Sequence, residues 1–172
     1  MTSVIRWALV ATMLGLTTCP VPAATQVGPI DTVAAPKVGP QVLVAQQSAR
    51  PDPVIFDNGN IYTVYNQPTS VPGFSLDRRT RITAITTYHW NNGNGARPGA
   101  IALIDSRGRI YGPWVATGAP GQGGVRDAYW TVRPNLSLQA GRYTVIDSDM
   151  FTWSHNEGTG GAGIVHIEGR QR

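Results

Sequence analysis

From Val54 to Gly169, short stretches rich in Val, Ile, Thr and Tyr alternate with Gly, Asn, Asp and Pro. That is the pattern of strands and turns, and no window carries an apolar stripe at helical spacing. The pattern predicts strands at Val54–Phe56, Ile61–Tyr65, Gly73–Leu76, Arg81–Trp90, Ala100–Asp105, Ile110–Trp114, Ala128–Arg133, Gly141–Asp147 and Gly163–Glu168. Asp105-Ser106-Arg107-Gly108 reads as a hairpin turn, and Leu138-Gln139-Ala140-Gly141 as a turn before Tyr143. Short strands at this spacing predict an all-β fold, a single antiparallel β-sandwich of jelly-roll type. A domain of this size buries a core without disulfides.

Strict alternation assigns the faces of the longest predicted strand. Ile82, Ala84, Thr86, Tyr88 and Trp90 share one face, and Arg81, Thr83, Ile85, Thr87 and His89 share the other. The first set is the more apolar, so Tyr88 and Trp90 are expected in the core and His89 outside it. The same parity expects one of Tyr129 and Trp130 to be buried.

Upstream of the strands the composition changes twice. Residues 1–24 have the layout of a secretory signal peptide: a short basic start ending at Arg6, an apolar run from Trp7 to Leu16, and small residues at Ala23-Ala24. Residues 25–53, broken by Pro29, Pro36, Pro40, Pro51 and Pro53, read as an exported spacer ahead of a domain at 54–172. The alternative is that Val42 to Ala45 adds an edge strand. No apolar run reaches the roughly 20 residues of a membrane span. The mature chain is therefore expected to be soluble and extracytoplasmic, periplasmic or secreted. The single cysteine, Cys19, excludes an intrachain disulfide framework. Leu16-Thr17-Thr18-Cys19 resembles a bacterial lipoprotein box, with Thr18 departing from the small residue usual there; plain signal cleavage is the preferred reading.

Charge narrows the partners. Loss of Arg6 with the leader lowers the formal charge from +4 to +3. The basic residues look scattered, with Arg78, Arg79 and Arg81 the one local cluster, and there is no nucleic-acid-binding stripe or motif. The glycine-rich loops at 118–124 and 158–163 lack the lysine and the strand–loop–helix context of a phosphate-binding loop.

The candidate chemistry sits where aromatic rings adjoin amides and carboxylates. Trp114 follows the bend at Gly112-Pro113, and Trp153 lies in the polar stretch from Asp147 to Asn156. Both are expected to be exposed and to stack on a sugar ring, with His89, Asn91, Asp147, Asp149 and Asn156 binding its hydroxyls. Asp147 and Asp149 admit three roles. They could ligate an irregular Ca²⁺ site, since the EF-hand pattern fails at Phe151. They could be catalytic carboxylates for glycoside cleavage. They could simply cap turns and accept backbone N–H bonds. His89, His155 and His166 lack zinc-site spacing, and no Gly-x-Ser-x-Gly elbow surrounds a serine.

The motifs Tyr88-His89-Trp90-Asn91, Tyr111-Gly112-Pro113-Trp114, Gly121-Gln122-Gly123-Gly124-Val125 and Ala140-Gly141-x-Tyr143-Thr144-Val145-x-Asp147-Ser148-Asp149 resemble a recurrent domain of secreted bacterial proteins, over roughly Val54 to Gly169. That resemblance implies an exported β-sandwich in a non-catalytic, accessory role, and it carries no catalytic residues. The Leu138–Val145 stretch is also similar to strands of galactose-binding-like sandwiches. The expected function is binding of a polar ligand, a carbohydrate or envelope glycan. The alternatives are a structural or protein-interaction domain, with or without Ca²⁺, and a glycan-active enzyme using Asp147 and Asp149.

Overall fold

The computed structural model describes residues 51–172. The expected signal peptide, the expected spacer up to residue 50, Cys19 and the alternative edge strand at Val42–Ala45 all lie outside the described residues. Twelve strands follow in chain order: β1 (Val54–Asp57), β2 (Tyr65–Asn66), β3 (Gly73–Leu76), β4 (Thr80–Tyr88), β5 (Ala100–Asp105), β6 (Ile110–Val115), β7 (Thr117–Ala119), β8 (Tyr129–Val132), β9 (Leu136–Leu138), β10 (Gly141–Asp147), β11 (Ser154–His155) and β12 (Val165–Gln171). Short 3-10 turns occur at 91–93, 122–124 and 157–159. No helix among the described residues is long and apolar enough to cross a membrane.

Sheet I runs β1-β12-β4-β8-β7, with β9 pairing the first part of β4. Sheet II runs β3-β10-β5-β6, and β11 pairs β2 in a small ribbon. All these pairings are antiparallel. Alternation within the strands builds the interior. Phe74 and Leu76 of β3, Ile101 and Leu103 of β5, and Tyr143 and Val145 of β10 face Ile85 of β4, Trp130 and Val132 of β8, and Val165 and Ile167 of β12 in one buried cluster. The fold is an antiparallel β-sandwich.

The predicted strands at Gly73–Leu76, Ala100–Asp105 and Gly141–Asp147 form as expected. Ile61–Tyr65 does not: only Tyr65 pairs, and the residues before it form an irregular loop. There Asn58, rather than a sheet neighbour, ties down the backbone, accepting from Val165 N–H (2.8 Å) and donating to the Gly163 carbonyl (3.0 Å).

Strict alternation also fails in β4, for an identifiable reason. Ile82 pairs with Gly169 and Ala84 with Glu168, so two steps along β4 match one step along β12 and Thr83 is an extra, unpaired residue. Such a bulge shifts the side-chain parity by one. Ile82 points into the core before it, and Ile85, Thr87 and His89 point in after it, all at 0% exposure. His89 is therefore inside and Trp90 outside, the reverse of the expected assignment. Tyr88 is buried as expected, but on the outer face of sheet I, where Tyr129 covers it with ring centroids 4.9 Å apart. Of the pair Tyr129 and Trp130, Trp130 is the buried one.

Gly169 permits the bulge. A Cβ at this residue would lie 2.6 Å from the Arg81 carbonyl oxygen, a backbone atom that cannot swing aside. Gly169→Ala is expected to lower the unfolding free energy by about 1–3 kcal/mol, measured by urea denaturation; an unchanged midpoint would show that the two strands separate freely there.

Candidate functional site

Most residues that the sequence nominated for ligand contact are structural. Trp153 is 0% exposed rather than presented to solvent. Its ring lies flat on Gly163, where a Cβ would sit 2.3 Å from the indole, and its Nε1 donates to the Ile164 carbonyl at 2.9 Å. A buried indole needs such a partner for its N–H. Trp114 is half-buried on β6, at the edge of sheet II, and packs against the core.

His89 and Asp147 meet between the sheets. Strand alternation turns Asp147 inward at the end of β10, where it is 4% exposed. Its Oδ2 accepts from the Thr87 hydroxyl (2.8 Å) and lies 3.2 Å from His89 Nε2, while its Oδ1 accepts the Asp149 N–H (2.8 Å). Asp149 receives the N–H groups of Phe151 and Thr152 on Oδ1 and the Thr152 hydroxyl on Oδ2. Because Thr152 gives its proton to Asp149, it accepts from His89 Nδ1 (2.9 Å), which makes Nδ1 a protonated nitrogen. The imidazole stacks on Trp130 with centroids 3.6 Å apart and planes 15° apart. All four carboxylate oxygens of Asp147 and Asp149 thus have protein donors: each Oδ1 caps a turn by accepting backbone N–H bonds, and each Oδ2 accepts a threonine hydroxyl. Among the described residues, no three His, Cys, Asp or Glu side chains are grouped to hold a metal ion.

The two asparagines shape loops. Asn91 accepts from Asn66 Nδ2 (3.2 Å) and donates to the Gly95 carbonyl (2.8 Å), closing the turn after β4. Asn156 is buried and exchanges side-chain amide bonds with Asn60, at 2.6 and 3.0 Å. It also caps the 157–159 turn by accepting the Thr159 N–H. The Asn60–Asn156 pair pins the loop between β1 and β2 over sheet I.

That loop walls a groove of about 580 Å³ on the outer face of sheet I. Thr86 and Tyr88 of β4, Trp90 just beyond it, and Tyr129 of β8 form an aromatic-rich floor; Tyr62 and Ile61 rise from the loop. The bulge is what turns Thr86, Tyr88 and Trp90 toward this face. Polar groups line the rim: Asn60, Gln122, Asp57 and His166. His166 is held between two carboxylates, with Nδ1 3.0 Å from Asp57 and Nε2 3.5 Å from Glu168. Burial raises the Tyr88 phenol above its usual range, and the neighbouring Tyr129 adds to the shift. Tyr88 therefore stays a neutral O–H group at physiological pH. Among the described residues, no arginine or lysine lines the groove.

None of the sequence-nominated residues lines the groove. The groove residues carry no ligand signal in the sequence, because strict alternation places Tyr88 and Trp90 in the core and Ile61–Tyr65 has the pattern of an ordinary strand. The run Asp57-Asn58-Gly59-Asn60, rich in turn formers, was the available signal for a loop there.

No family model, no curated protein and no solved structure matches the chain.

Two outcomes follow from the buried network. Trp153→Ala and Asp147→Ala are each expected to cost about 3–5 kcal/mol of stability, by urea denaturation; a loss under about 1 kcal/mol would contradict their interior roles. With every carboxylate oxygen already bonded to protein, the melting temperature should be the same with and without EDTA, and a lower midpoint in EDTA would reinstate structural calcium.

Proposed function

We propose that the chain is an exported, non-catalytic β-sandwich that binds a neutral glycan segment in the groove of sheet I. The observation that carries this reading is the floor of Tyr88, Tyr129 and Trp90 beneath a rim of amide, hydroxyl and carboxylate groups. Flat rings suit the C–H faces of a sugar, and the convergent polar groups suit its hydroxyls. The volume lies within the range of small-ligand sites. Asp57, and a lining without arginine or lysine among the described residues, disfavour an anionic sugar. The resemblance to exported bacterial domains agrees with the same role. The function expected from the sequence is kept, and the residues assigned to it change.

Affinity electrophoresis through gels containing neutral polysaccharides tests the proposal. Tyr129 is 36% exposed, so Tyr129→Ala should leave the fold intact. It should weaken binding by about 1–2 kcal/mol, roughly ten- to thirtyfold, whereas Trp114→Ala should bind as wild type. Equal retardation of wild type and Tyr129→Ala would remove the groove from the reading.

One observation favours a protein partner instead. Ile61 is 95% exposed at the groove lip, with Tyr62 beside it, and an apolar tip of this kind suits a protein surface. If Ile61→Ser abolishes a protein interaction while no neutral polysaccharide retards the wild type, that second reading prevails.

A further inference from the structure

Arginines far apart in sequence meet at the end of the sandwich opposite the groove. β4 spans the two ends, from Thr80 to the groove residue Tyr88. At its start Arg81 pairs with Arg170 of β12, and the Arg172 N–H bonds to the Arg79 carbonyl at 3.0 Å. Sheet II contributes from the other side. Gly141 of β10 pairs with Leu76 of β3, which places Arg142 beside the turn carrying Arg78 and Arg79. The Ser106 N–H bonds to the Arg142 carbonyl at 3.2 Å, bringing the hairpin residues Arg107 and Arg109 to the same end. Eight arginines thus gather against three aspartates, Asp52, Asp77 and Asp105. All but Arg81 are exposed. Among the described residues, only Arg170 of the eight forms an ion pair, with Asp52.

The end is also concave at one place. A cavity of about 220 Å³ lies between Arg81, Thr83, Asn135, Arg170 and Asp52. Arg81 Nε is buried there without a hydrogen-bond partner among the described residues, and its Nη2 makes only a long 3.5 Å bond to Asn135. An unpaired buried donor on a guanidinium is costly, and an oxyanion would satisfy it. The described residues contain no lysine at all. Arginine, with its planar fork of donors, matches phosphate and sulfate groups better than lysine does.

We propose that this arginine-rich end docks an anionic polysaccharide bearing phosphate or sulfate groups, with one oxyanion seated against Arg81 and further ones met by the exposed arginines of the two turns. The surface differs from a bilayer-binding one because the large exposed apolar residues at this end among the described residues, Val54 of β1 and Ile110 of β6, lie on different sheets and make no continuous anchor for the acyl region. It differs from a single-strand nucleic-acid surface because the exposed aromatics among the described residues, Tyr62, Tyr65, Tyr129 and Phe151, lie away from it, and the half-buried Tyr111 ring packs against the core beneath the Arg109 guanidinium, 5.0 Å from its centroid. The proposal stands independently of the groove.

The test titrates the full exported chain with dextran sulfate at several salt concentrations. The combined variant Arg78→Ser, Arg79→Ser, Arg107→Ser, Arg109→Ser removes four exposed side chains, so its melting curve should match wild type. Its affinity at low salt should fall about tenfold or more, with a shallower dependence of binding on salt. Arg81→Gln, which keeps the stem but not the guanidinium, should weaken dextran sulfate binding on its own; Tyr129→Ala should leave it unchanged. Wild-type affinity in the combined variant would overturn the proposal. So would tighter wild-type binding to phosphatidylglycerol vesicles or to an oligothymidylate than to dextran sulfate of equal charge.

Discussion

The bulge at Thr83 is the constraint from which the two faces of sheet I follow. One extra residue in β4, accommodated by the absence of a side chain at Gly169, reverses which side chains enter the core for the rest of the strand. Without it, Tyr88 and Trp90 would compete for interior volume already filled by Trp130 and Trp153, and His89 would lie in solvent. With it, the interior receives Thr87 and His89, and the outer face receives Thr86, Tyr88 and Trp90. The core and the groove are therefore one structural decision made near the start of β4.

Polar groups placed inside by that decision are satisfied across the sandwich. Thr87 and His89 arrive from sheet I, Asp147 from sheet II, and Thr152 and Asp149 from the loop that follows β10. Each bond is modest in net terms, yet losing any one member strands the others in a low-dielectric interior. The network fixes how that end of the two sheets is joined. It also locates the loop leading to Trp153, whose ring supports Gly163 and the start of β12. Asn156, further along, grips Asn60 and so sets the height of the groove wall. Residues that look like ligand contacts in the sequence thus act one layer beneath the surface that a ligand would meet.

The charge distribution complements this layout. The groove presents aromatic rings beneath a rim of amide, hydroxyl and carboxylate groups, while the opposite end concentrates guanidinium groups. A small formal charge for the whole chain conceals this polarity, because net charge sums over positions that the fold separates. The two proposed surfaces, a groove for a neutral glycan and an arginine-rich end for an anionic one, would engage chemically distinct stretches of polymer.

Several features were legible in the chain itself. Period-two alternation and glycine-bearing turns determine the strands at Gly73–Leu76, Ala100–Asp105 and Gly141–Asp147, because those segments keep regular register and one buried face. The capping role open to Asp147 and Asp149 was legible too, since an aspartate accepting backbone N–H bonds two residues on is a local event. What local pattern could not contain was decided by tertiary structure. A bulge depends on the fit between β4 and β12, residues some eighty positions apart; it alone put His89 inside and Trp90 outside. The Trp153 indole is buried because Gly163 offers a flat backbone to lie on. Arg78, Arg107, Arg142 and Arg170 form one surface only because β3, β5, β10 and β12 bring their ends together. Alternation is a property of neighbours along the chain, whereas register, burial and charge clustering are properties of neighbours in space.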